Sequence, residues 1–183
     1  MTDNFGTKPA NQDLAYIYLL IGEAICMIQH LESALSVLIT LKKDVRYPLR
    51  VSKGEADNFL EKYRSSLTLG QAINLAKKNN LFSISLYSDL EAILEGRNWL
   101  VHKFLNDYLD NARTNSAKDG FFNRIKTISN EAKRLQEAIE TDLIAFSESV
   151  GIDMSRVRVY MRQHPHKPEV LSASYEGIKP RFA

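Results

Sequence analysis

From Asp13 to about Lys43 the apolar residues Ile17, Leu20, Ala24, Met27, Ile28, Leu31, Leu35 and Leu38 return every three or four positions, the period of one helix face. Asn11 or Asp13 can cap the start of this first long helix. A second apolar set, Ile21, Ile25 and Ile39, broadens the stripe and predicts cover on more than one side, which a partner subunit could supply. Tyr47-Pro48 should end or redirect the helix, because the residue before proline is pushed out of the helical region. A connection over Val51 to Gly54 leads to a shorter polar helix from about Glu55 to Arg64. Ser66 or Thr68 caps the next, which carries Leu69, Ile73, Leu75 and Ala76 and stops at Asn79-Asn80.

Ser83 or Ser85 opens a further segment, in which Leu86, Leu90, Ile93, Leu94, Val101, Leu105 and Tyr108 read as one helical stripe to about residue 109. Asn111 to Gly120 reads as a polar loop. Phe121 to Val150 makes the last long helix, with Phe122, Ile125, Ile128, Ala132, Leu135, Ile139, Leu143 and Phe146 on its apolar face and Gly151 as its stop. Neither a repeat nor a strand-rich region interrupts this pattern, so the body is an all-α bundle of four or five helices over residues 13–150. Residues 1–12 form a polar N-terminal segment without the basic start and apolar middle of a signal peptide.

Residues 151–183 differ in kind. Pro165, Pro168, Pro180 and Gly177 break any long helix, and six Arg and Lys stand against three acids, making a basic C-terminal tail. Val157, Val159, Tyr160 and Met161 are expected to form a short helix or strand against the body. Arg156, Arg158, Arg162, Lys167, Lys179 and Arg181, with Tyr160, Tyr175 and Phe182 among them, suit a nucleic-acid backbone and its bases. They equally suit a solvated terminus or an arm across a partner subunit.

Composition narrows the function classes. With 24 basic against 22 acidic residues the net charge is +2, so any affinity for nucleic acid must be local rather than a property of the whole surface. The single Cys26 excludes an intramolecular disulfide and a thiolate zinc site, fits a reducing cytoplasm, and among Ile25, Met27 and Ile28 reads as a buried small hydrophobe. His164 and His166 form no standard metal constellation, and no cofactor is implied. Leu14 to Leu41 is interrupted by Glu23, Gln29, His30 and Glu32, which favours a core helix over a membrane span, and no membrane partner is expected.

The segment from Glu95 to Phe104 places an arginine, an amide and a histidine in an otherwise apolar helix. On a helical wheel Leu90, Ile93, Leu94, Val101, Phe104, Leu105 and Tyr108 fall within about 80° of Arg97, which puts the guanidinium mid-stripe. An unpaired charge there would cost several kcal/mol, so Arg97 must be paired or open into a cleft. Asn98 and His102, one turn apart, share the adjacent flank. Gly96 weakens the helix by about 1 kcal/mol relative to alanine, which is explained by close approach of a neighbour or ligand, or by a tolerated kink. A structural account also covers these residues: Arg97 paired with Glu32 or Glu23 of the first helix, and His102 on the surface.

Arg97-Asn98, three residues, His102, one residue and Phe104, on the third main helix of an all-helical chain, resemble the motif of the HEPN superfamily, whose members carry Arg, four to six residues, then His. Asn98 fits the polar residue that often follows the arginine, and Phe104 the aromatic two positions after the histidine. The resemblance implies an HEPN-like four- to five-helix bundle that forms a homodimer, with two motif copies facing across a cleft. It further implies a metal-independent ribonuclease, a toxin or defence effector restrained by an antitoxin or regulatory protein. The family also contains non-catalytic modules that bind nucleotide, RNA or protein. In the catalytic form His102 would transfer protons, Arg97 would hold the phosphate with its fork of donors, and Asn98 would orient either, with Glu32 and Phe104 as auxiliary residues. RNA would be required because the 2′-hydroxyl is the nucleophile.

Overall fold

A computed structural model of the chain describes residues 11–46, 50–112 and 114–163. Seven α-helices and one π-helical segment, and no strand, occur among these residues. They are α1 (Asn11–Ile39), the π-helical Thr40–Val45, α2 (Lys53–Ser66), α3 (Leu69–Lys78), α4 (Ile84–His102), α5 (Phe104–Asn111), α6 (Asn115–Ser149) and α7 (Ser155–Gln163). The all-α class read from the periodicity is therefore observed. Residues 13–150 nonetheless divide between two compact units, one within Met1–Leu31 and Ile84–Leu135, the other within Glu32–Ser83 and Gln136–Ala183.

In the first unit the buried apolar residues are Ile17, Leu20, Ala24, Ile28 and Leu31 of α1, five from α4, Phe104, and Ile125, Ile128, Ala132 and Leu135 of α6. The three- and four-residue spacings on α1 and α6 are the ones that align side chains along one face. Gly96 explains its own place here. A Cβ at this position would lie 3.0 Å from Cγ1 of Ile128, so glycine lets α4 meet the side chain of α6 at a distance alanine would crowd. Arg134 adds a polar staple, donating to Asp89 of α4 and to Glu131, each at 2.8 Å.

The second unit is organised around the end of α1, where every residue from Ala34 to Thr40 is buried. The predicted second apolar face is thus covered within the chain at Ile39, whereas Ile21 and Ile25 in the first unit are half-buried. Ser36 and Thr40 stay satisfied by bonding back to the carbonyls of Glu32 and Ser36, one turn before each. The π-helical segment turns Lys42 and Lys43 toward separate partners. Lys42 reaches the Leu81 carbonyl and Asp142, with the rings of Phe82 and Phe146 each 5.7 Å from its ammonium. Lys43 donates to Asp44 and to the Tyr63 hydroxyl, which donates in turn to Asp44 at 2.6 Å. The helix then stops at Arg46, whose φ of 36° lies in the left-handed region. Tyr47-Pro48, the expected stop, lies outside the described residues.

Most helix ends follow their sequence signals. Ser52 with Glu55, and Thr68 with Gln71, form capping boxes that satisfy free amides at the starts of α2 and α3. At the end of α3, Asn80 adopts φ 51° while Leu81 N–H bonds to the Ala76 carbonyl; Gly151, at φ 87°, ends α6 likewise, with Ile152 N–H on Ser147. Both are Schellman turns, in which a left-handed residue lets the following amides satisfy the last carbonyls. Two boundaries differ from expectation. The predicted loop of residues 111–120 is mostly helix, because α5 runs to Asn111 and α6 starts at Asn115, with Ser116, Asp119 and Gly120 exposed and no apolar stripe to read. Cys26, expected inside, is exposed on α1 near the exposed Tyr18, Leu19 and Gly22. The stretch Tyr16–Val45 is long and apolar enough to cross a membrane, and more than half of its most apolar window is buried within the protein.

One buried acid has a pH signature. Glu140 of α6 is 7% exposed and accepts a 2.8 Å hydrogen bond from Gln136 Nε2. Burial pushes its carboxyl above the ordinary value of 4.5, against the opposite pull of the Gln136 bond. The folded protein therefore favours the protonated form: the contribution to stability is fully present below the unfolded value and is lost as pH rises through the raised one. Glu140→Gln, which keeps the acceptor for Gln136, is expected to raise the urea midpoint at about pH 8 and leave it nearly unchanged at about pH 4. An equal or lower midpoint at the higher pH would contradict this account.

Candidate functional site

The helix carrying Arg97, Asn98 and His102 does not continue to residue 109 as a single stripe. It ends at His102, Lys103 departs from helical geometry (φ −121°, ψ −29°), and α5 begins at Phe104. The cause is aromatic. Trp99 is 5% exposed, and its indole N–H donates to Asp107 Oδ2 at 2.7 Å, tying the end of α4 to α5 across the break. Its ring stacks near-parallel on Phe121 and meets Phe104 edge-on, while Tyr108 packs against both Phe104 and Phe121. The Arg124 guanidinium lies 3.8 Å from the centre of the Trp99 ring.

Toward the end of α4 the buried face widens to take in this cluster. Tyr87, Leu90 and Ile93 are buried early in the helix, but Trp99 and Leu100 are buried at its end, and Trp99 points about 160° from Arg97 on the wheel. Val101 and Leu105, which read as core, are instead 48% and 63% exposed, and Leu109, next at the same spacing, is 69% exposed. Arg97 is consequently half-buried rather than set in the middle of a packed stripe, and Asn98 and His102 are exposed.

Arg97 Nη1 donates to Asn98 Oδ1 at 3.4 Å, longer than the usual range and therefore a weak tether. Within its unit Arg97 forms no ion pair among the described residues, so the structural pairing with Glu23 does not occur; Glu23 is exposed. Glu32 is half-buried and belongs to the second unit. Phe104, 4% exposed, sits inside the aromatic cluster, where it holds the helix end instead of offering a face beside His102. The structure thus brings Arg97 and Asn98 into contact and leaves His102 exposed one turn further on. Such a set can receive an anion on the guanidinium, with an amide and an imidazole within one helical turn.

Trp99 and Asp107 were not among the candidate residues, although an i, i+8 pairing around a helix break has no periodic signal to find. Among the described residues no three His, Cys, Asp or Glu side chains group so as to hold a metal; His164 and His166 lie outside those residues, as do Lys167, Tyr175, Lys179, Arg181 and Phe182 of the tail.

Asp107→Ala strands a part-buried indole donor and is expected to cost about 1–3 kcal/mol, read by urea unfolding through the fluorescence of Trp99, the only tryptophan. A change within about 0.5 kcal/mol would show that the bond does not anchor the helix end. Comparison with protein-family models, curated proteins and solved structures finds no match to this chain.

Proposed function

We propose that the protein is a metal-independent endoribonuclease of HEPN type that acts as a homodimer, Arg97, Asn98 and His102 of each protomer forming half of a composite site. The observation that carries this reading is the exposure of Asn98 and His102, with Arg97 tethered only weakly to Asn98, at a helix end anchored by Trp99. A motif kept for structure alone would be expected to use the guanidinium in a firm ion pair.

In the proposed reaction the ribose 2′-hydroxyl attacks the adjacent phosphorus, and the bond from phosphorus to the 5′-oxygen breaks. One His102 takes the 2′-hydroxyl proton while the partner subunit's His102 gives a proton to the departing 5′-oxygen. Arg97 holds the non-bridging oxygens as charge gathers on the crowded phosphorane, and Asn98 keeps the guanidinium aimed. The products are a 2′,3′-cyclic phosphate and a 5′-hydroxyl. A role as toxin or defence effector, held in check by a second protein, accompanies this reading through the motif resemblance.

Purified protein is expected to cut single-stranded RNA in the presence of a chelator. Arg97→Ala and His102→Ala should each slow cutting by about a hundredfold or more, and a 2′-deoxy residue at the cleaved position should block it. Undiminished cutting by both variants would sink the proposal. Binding of RNA without cutting by the unaltered protein would favour a non-catalytic module.

A further inference from the structure

The contacts between α4 and α6 run in opposite directions along the two helices: Asp89 meets Arg134, Gly96 faces Ile128, and Trp99 meets Arg124. The early turns of α6 therefore lie beside the end of α4 that carries the motif. Trp99 stands midway round that end, with Gly96, which meets α6, about 60° to one side and the exposed His102 about 60° to the other. A side chain that reaches from α6 onto the Trp99 ring is thus drawn toward His102. Gly120, one turn before Arg124, is exposed, with nothing within 4 Å of where a side chain would begin, so the surface beside Arg124 is open.

Arg124 is itself exposed, yet its guanidinium carbon lies 3.8 Å from the centre of the indole, a separation for contact through the flat face of the cation. That contact leaves the N–H donors at its edge unused: among the described residues Arg124 forms no hydrogen bond and no ion pair. The acids around it do not take these donors up. Glu131 is held by Arg134, Asp107 accepts the indole proton, and Glu95, exposed one turn before Trp99, makes no bond to Arg124. These carboxylates offset part of the local charge, to which Lys103, exposed beside His102, adds. What draws a ligand is therefore less the net charge than a planar fork held in place by the indole, a donor set that fits two oxygens of one phosphate.

We propose that Arg124, shelved on Trp99, is a second phosphate-binding residue of the RNA site and grips a backbone phosphate next to the one that Arg97 holds. This rests on the reading that RNA is the protein's ligand, but not on the chemistry at His102. Arg124 anchors the strand without taking part in cleavage.

The test titrates the full chain against a fluorescein-labelled 2′-O-methyl oligouridylate 20-mer, which has no free 2′-hydroxyl and cannot be cut, at several salt concentrations. Arg124→Gln is expected to weaken binding about tenfold at about 0.1 M salt and to make the slope of log affinity on log salt shallower by about 0.7, the loss of one phosphate contact on a single strand. Lys126→Gln, which removes the same charge from an exposed position about 160° round α6, is expected to change neither quantity appreciably. Arg124→Lys keeps the charge and loses the fork, so it should keep the slope and regain only part of the affinity. Unlabelled oligomer should also change the emission of Trp99, the only tryptophan, in the unaltered chain and not in Arg124→Gln. Equal losses in Arg124→Gln and Lys126→Gln, or full affinity in Arg124→Gln, would overturn the assignment; if Arg124→Gln lowers the urea midpoint, Arg124→Lys decides, and full affinity there overturns it. Absence of RNA binding by the unaltered chain removes this inference and the RNA reading together, whereas binding without cutting of ordinary RNA removes the ribonuclease reading alone.

Discussion

The burial of Trp99, with its indole proton delivered to Asp107, is the constraint on which the candidate site depends. An indole inside a protein needs a partner for its N–H, and here α4 ends after His102 and α5 brings Asp107 alongside to accept it. Phe104, Tyr108 and Phe121 then close around the ring, and Arg124 lies over it. Each of these contacts pulls the inner face of the helix end toward Trp99. Arg97, about 160° from Trp99 on the wheel, stays half-buried, and Asn98 and His102 are exposed.

This arrangement changes what the arginine means. A guanidinium in the centre of an apolar stripe would demand a buried carboxylate; a half-buried one beside an exposed amide can exchange its weak bond for a stronger, charge-assisted one with an incoming phosphate. The same shift exposes Val101, Leu105 and Leu109 next to the motif. A row of large aliphatic side chains in water is unfavourable by about 25 cal/mol for each Å² left uncovered, so a protein surface covering that row would be favoured.

Much of the secondary structure was legible because single residues carry decisive local signals. Thr68 caps α3, Asn80 and Gly151 take left-handed conformations that end helices, and the 125, 128, 132, 135 spacing marks the buried face of α6. The failures have a common cause, since periodicity reports which residues share a face but not whether the helix stays straight or whether that face is covered. Val101, Leu105 and Leu109 keep a four-residue spacing across a break that the Trp99 cluster and its bond to Asp107 hold. Cys26 keeps apolar neighbours yet sits on the uncovered side of α1. At the candidate site the motif residues themselves were legible, whereas the partner that sets their exposure, eight residues from Trp99 in sequence, was not.

One protomer offers a single exposed histidine and a single arginine at this helix end, while the proposed reaction asks for an acid and a base at once. The requirement for a second copy is the central claim, and dilution tests it most directly. Specific RNA-cutting activity should be measured over a protein concentration series whose monomer–dimer balance is fixed in parallel by analytical ultracentrifugation. The account predicts that activity per protomer follows the dimer fraction and vanishes with it. Activity per protomer that stays constant into the range where the protein is monomeric would contradict it.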